Sequence, residues 1–163
     1  MELWVLRHAE AEERAASGRD EDRNLTAPGR KEAAASGRGI AAVSSGIGLV
    51  LTSPYARARQ TAEAAAEALG GPEVRESEAL EPDRDPEEIL SEIEEIDAVA
   101  ILLVGHAPLL GNLLGRLVCG EEDGDLPLSK ASAAWLSVGG NERGARLRAF
   151  LPAPLLDRLG RRG

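Results

Sequence analysis

Cysteine is almost absent from this 163-residue chain: Cys119 stands alone. That excludes an internal disulfide and a cysteine-built zinc site, and it fits a reducing, cytoplasmic setting. As a lone thiol, Cys119 reads as a small buried hydrophobe. Aromatic residues are nearly as scarce, being only Trp4, Tyr55, Trp135 and Phe150, so the core has to be packed from Leu, Val, Ile and Ala. No apolar run approaches the roughly 20 residues that span a bilayer, and the N-terminus shows neither a basic segment nor a small-residue cleavage site, so no membrane association is expected. Positive charge is in deficit, with a formal net charge of −9 that would repel a nucleic-acid backbone. The basic C-terminal "RLGRRG" reads as a frayed, solvated end. The length suits one domain over residues 1–163, with a monomer favoured.

What is present is an alternation of apolar runs with helical patterns. It predicts an α/β protein: a three-layer α/β/α sandwich, with helices on both faces of a mostly parallel sheet. Strands are expected near residues 2–6, 48–52, 73–76, 98–104, 131–138 and 145–151. "LVLTS" and "AVAILLV" do not alternate, as befits strands buried on both faces, while the last two runs flank a glycine-rich turn and read as an antiparallel edge hairpin. In "SPYARARQTAEAAAEALGG", Ser53 can cap a helix, Pro54 suits its first position and Gly70 or Gly71 ends it. "DPEEILSEIEEI" repeats that logic with Asp85, Pro86 and Glu88 as a capping box. "TAPGRKEAAASGRGIAAV" and "PLLGNLLGRLV" give helices weakened by glycine. Between Ala9 and Leu25 runs a long charged loop, a candidate lid.

Histidine is the other rarity. The chain has only two, and each ends an apolar run: His8 in "LWVLRHAE" and His106 in "VAILLVGHAP". Open sheets bind ligands beyond the carboxyl ends of their parallel strands, where Arg7, His8, Arg57 and His106 would meet. Arg57 falls in the first turn of its helix, whose free N–H groups already favour an anion. Two imidazoles and two guanidiniums make a cationic pocket on an acidic protein. It suits phosphate, because guanidinium forks match phosphate oxygens and a neutral imidazole can attack phosphorus near pH 7. The arginines would oppose a metal, and two histidines are too few to hold one. Arg59 faces another side of its helix and reads as solvated surface.

These segments resemble the histidine phosphatase superfamily. "LRHAE" is similar to its Arg-His-Gly signature with Ala9 in the glycine position, "SPYARARQTAE" to its Ser-Pro-x-x-Arg-Ala-x-Gln-Thr-Ala stretch, and "LVGHAP" to its second-histidine segment. "DRNLTAPGR" and "ALEPDRDPEEIL" resemble the short bacterial branch, the phosphohistidine phosphatases. The resemblance implies a phosphoglycerate mutase-like fold and a metal-independent phosphatase without cofactor. In it His8 is the nucleophile, Arg7 and Arg57 clamp the phosphoryl oxygens, His106 donates to the transition state, and Arg23 adds a substrate-side cation.

The family's usual leaving-group acid has no clean counterpart; Glu81 and Glu10 are the candidates, each equally readable as a solvated carboxylate. A weak acid favours a leaving group that needs little protonation, such as imidazole. The expected substrate is therefore a histidine-phosphorylated protein, such as a phosphorelay partner. Alternatives are a phosphomonoesterase for small phosphorylated metabolites, a mutase, and a non-catalytic phospholigand-binding module.

Overall fold

The computed structural model describes residues 1–44, 46–120, 124–139 and 144–161. Among them, the strands are β1 (Glu2–Arg7), β2 (Ile47–Thr52), β3 (Glu73–Glu76), β4 (Ala100–Gly105), β5 (Ala133–Val138) and β6 (Ala145–Leu151). The helices are α1 (Ala27–Ala41), α2 (Ala56–Ala68), α3 (Pro86–Glu94), α4 (Leu109–Cys119) and α5 (Ala153–Gly160). One sheet runs in the order β3-β2-β4-β1-β5-β6. Its first four strands are parallel, and β5 and β6 form the antiparallel edge hairpin. Residues 140–143 of the predicted glycine-rich turn lie outside the described residues.

Apolar residues on both faces of the central strands create two cores. Leu3 and Val5 of β1 pack with α3 and α4, whereas Trp4 and Leu6 pack with α1, α2 and α5. The layering follows from chain direction. Steps outward from β1 to β2 and β3 carry α1 and α2 over one face, and the return to β4 carries α3 over the other, as right-handed crossovers require. Adjacent strands β1 and β4 then release their chains to opposite faces, into α1 and α4, which opens a crevice at their carboxyl ends.

Four expectations need correction. Cys119 is exposed, because it ends α4 about 200° around the helix from buried Leu117. The start of "RLGRRG" does not fray: residues 158–160 complete α5 and Leu159 packs partly buried against its core, although Arg158 and Arg161 are solvated. Helix α2 begins at Ala56 with Tyr55 at the N-cap, so Ser53 is not its cap. Strand β5 begins at Ala133, since Ala131 adopts a left-handed φ of 57° that no strand continues. Asp85 does cap α3, accepting from the Glu87 amide.

The glycines expected to weaken α1 are its contact points. A Cβ on Gly37 would strike the backbone of Ala65 in α2, and one on Gly39 would strike the backbone of Leu156 in α5. With few aromatics available, close backbone approach takes the place of large side chains. Gly29 likewise admits the carbonyl of Glu10, drawing the chain just beyond His8 against the start of α1.

Candidate active site

The crevice is closed by the sheet's own hydrogen bonds. Beyond the ends of β1 and β2, the His8 amide donates to the Gly105 carbonyl at 3.0 Å and the Ser53 amide to the Val104 carbonyl at 3.0 Å. Three neighbouring strand ends are thereby locked in register. From the other side, the Arg7 amide donates to Ser132 O, and the Ala131 amide to Arg7 O, so the left-handed turn at Ala131 braces the Arg7-His8 peptide.

His8 is 5% exposed. Its Nδ1 lies 2.7 Å from the Ala9 carbonyl oxygen, which can only accept, so Nδ1 carries the hydrogen and the neutral ring's lone pair sits on Nε2. That lone pair accepts the Arg57 Nε–H at 3.4 Å. Burial pushes the imidazolium pKa down from 6.5 to about 4, with Arg57, Arg7 and Lys130 adding repulsion against the partial lift from Ala9. The ring is neutral near pH 7.

His106 lies beside it, with ring centroids 5.1 Å apart. Burial depresses its pKa further still, aided by His8, Arg57, Arg7 and Arg23. Its Nε2 meets Ser53 Oγ at 2.9 Å, and Ser53 Oγ accepts the Tyr55 amide at 3.3 Å. His106 Nδ1 is buried without a hydrogen-bond partner among the described residues, as are Arg7 Nε and Arg23 Nε. Buried donors left unpaired are costly, and an oxyanion would satisfy them.

All five sequence-predicted residues come together. Arg7 is anchored by an NH1 bond to Leu128 O at 2.8 Å, and burial lowers its pKa. Arg57 occupies the second position of α2. Arg23 is brought in by the loop, which is pinned by an Ala11–Leu25 bridge and a 3₁₀ turn at Asp20–Asp22. Both acid candidates have other partners. Glu10 Oε1 accepts from Thr26 Oγ at 3.0 Å, and Glu81 pairs with Arg84 at 3.4 Å. Among the described residues, no cluster of three or more His, Cys, Asp or Glu could hold a metal.

Sequence reasoning missed several participants. Ser53, expected as a helix cap, instead orients His106. Tyr55 sets its ring edge-on to His106 at 5.1 Å, with the Arg57 guanidinium 5.1 Å over its face. Thr61 Oγ accepts the Ala9 amide at 3.2 Å and donates to Arg57 O, tying nucleophile loop to α2. Asp20 pairs with both Arg57 and Arg23; its one sequence signal was its place three residues before Arg23.

Known proteins resemble this chain in sequence and fold. The family model described as histidine phosphatase superfamily (branch 1) matches residues 3–83. An uncharacterized protein of Picosynechococcus sp. is 34% identical over 142 residues, covering 85% of this chain and 86% of its own. The structure of a candidate phosphohistidine phosphatase SixA from Agrobacterium tumefaciens matches at 28% identity and TM-score 0.76, covering 92% and 96% of the two chains. The protein histidine phosphatase SixA complexed with tungstate shares the fold at 23% identity and TM-score 0.85, covering 94% and 98%. A candidate alpha-ribazole-5'-P phosphatase from Escherichia coli also shares it, at 19% identity and TM-score 0.69, covering 95% and 98%. The chain belongs to the histidine phosphatase superfamily, branch 1, and is a histidine-nucleophile phosphatase.

Proposed function

We propose that His8 is the nucleophile and that the substrate is a histidine-phosphorylated protein. His8 Nε2 attacks phosphorus as the bond to the substrate's imidazole nitrogen breaks; that imidazole, protonated beforehand on its other nitrogen, departs neutral. Water then attacks the phosphorus on His8 Nε2, releasing inorganic phosphate and restoring the lone pair. Arg7, Arg57 and Arg23 hold the non-bridging oxygens. The Ser53 hydroxyl donates a hydrogen bond to His106 Nε2, which places the neutral ring's own hydrogen on Nδ1, facing the charge that builds on those oxygens. Neither a cofactor nor a metal enters any step, and residues 1–163 act as one catalytic unit.

The observation that carries the choice of substrate is the state of the carboxylates. Glu10 and Glu81 are both occupied by other partners, and Asp20 is held by two arginines. An alkoxide leaving group needs a poised acid, whereas an imidazole, with a conjugate-acid pKa of roughly 6.5, leaves without one. The 28%-identical SixA neighbour supports the same reading.

Initial rates should be compared on a phosphohistidine peptide, a phosphoserine peptide and sugar phosphates. Phosphohistidine should exceed the esters by at least about tenfold in kcat/KM; equal or faster ester turnover would overturn the substrate assignment. Quenched reactions should yield an acid-labile, base-stable phosphoenzyme that a folded His8→Ala protein cannot form.

A further inference from the structure

The Arg57 guanidinium is gripped from two directions. On one side its Nε–H reaches His8 Nε2 at 3.4 Å; on the other, NH1 donates to the Asp20 carbonyl at 2.9 Å and NH2 to Asp20 Oδ2 at 3.0 Å. The second carboxylate oxygen, Oδ1, takes Arg23 NH1 at 3.1 Å. One residue of the 3₁₀ turn thus touches both Arg57 of α2 and Arg23 of the loop while its side chain remains 55% exposed.

We propose that Asp20 is a positioning residue: through its carbonyl and carboxylate it sets the plane of Arg57 and brings Arg23 to the same pocket. This rests on the reading of Arg57 as a phosphoryl clamp. A guanidinium has five N–H donors in a fixed plane. Asp20 takes one from each terminal nitrogen, leaving one on each for phosphoryl oxygens, with Nε–H kept beside the attacking nitrogen. A guanidinium free to swing about its side-chain torsions would lose that alignment, and alignment matters most once phosphorus is in flight. The carboxylate also offsets repulsion between two cations that must share one site before substrate arrives.

Neighbouring Asp22 supplies the control. It has the same charge in the same turn, yet it is engaged by Arg19 and Ser17 outside the pocket.

The test is a double-mutant cycle on a synthetic phosphohistidine peptide, with orthovanadate inhibition as a second readout. Asp20→Ala should lower kcat about tenfold, with KM moving less than about threefold and the melting temperature unchanged. Vanadate inhibition should weaken in parallel with kcat. Asp20→Asn, which keeps the carbonyl contact and one side-chain acceptor, should recover part of the loss, and Asp22→Ala should match the parent. In an Arg57→Ala background, Asp20→Ala should cost at most a further factor of about two, because its main route is gone. Parent-like kcat in Asp20→Ala, or full losses that multiply in the double variant, would overturn the inference alone. Unimpaired turnover in Arg57→Ala would instead overturn the clamp reading, and the inference with it.

Discussion

Arg57 and Arg23 bring the same charge to the same pocket by different means. Arg57 rises from the first turn of α2 with a side chain 6% exposed, in a helix tied to the nucleophile loop through Thr61. Arg23 hangs from the 9–25 segment with a side chain 27% exposed, held at one end by Asp20. The wall built on strand ends and α2 is fixed by backbone ladder bonds and burial, so its geometry costs nothing extra once the sheet has formed. The loop wall has only a few backbone bonds of its own, among them Glu12 N–H to Asn24 O at 2.9 Å, and its outer arginine is held by an exposed side-chain pair that competes with water.

The sharpest way to break that comparison is kinetic. Arg57→Ala should lower kcat/KM about 10²- to 10³-fold, the scale of a lost oxyanion donor. Arg23→Ala should lower it about tenfold. Equal losses in steady-state assays would mean that both walls are equally committed to the transition state. Next in size is a change remote from the pocket. Gly39→Val, which drives a side chain into the Leu156 backbone, should destabilise by about 1–3 kcal/mol in thermal melts. Because the pocket is part of the sheet, kcat well below the melting transition should stay within about twofold of the parent.

Acid should act on the strand-end wall first. Both histidines have folded-state pKa values below the ordinary 6.5, so below that pH the unfolded chain binds more protons than the folded one. Stability should hold above pH 6.5 and fall as pH drops toward 4, and His106→Asn should flatten that slope in denaturant titrations. The smallest effect is expected at Arg59, whose contacts with Glu63 at 3.9 Å and Glu76 at 3.5 Å are solvent-exposed. Arg59→Ala should change stability by less than about 0.5 kcal/mol by chemical denaturation.

The same contrast explains what could be read from the sequence. Strand ends announce themselves: an apolar run stops and a polar residue follows, so Arg7, His8 and His106 were legible together with the sheet, and Arg57 with its helix. Ser53 was visible but misassigned, because a serine before a proline fits a helix cap as well as a histidine partner. Asp20 had no such marker, since the contacts that distinguish it from Glu21 and Asp22 are made across 37 residues to Arg57. Gly37 and Gly39 misled in the opposite sense, as helix propensity counts against glycine and is blind to what packs opposite it. Cys119 followed the habit of its residue type, while its position off the buried stripe of α4 decided otherwise.

Trp4 and Trp135 face each other across β1 and β5, stacked at 5.3 Å and 6° from parallel, and the chain has no other indole. Tryptophan emission, excited where Tyr55 does not absorb, therefore reports on a single seam, the join between the parallel strands and the edge hairpin, four residues upstream of His8. A fluorescence trace that shifts records those two strands parting, and rearrangements confined to the charged loop leave it dark.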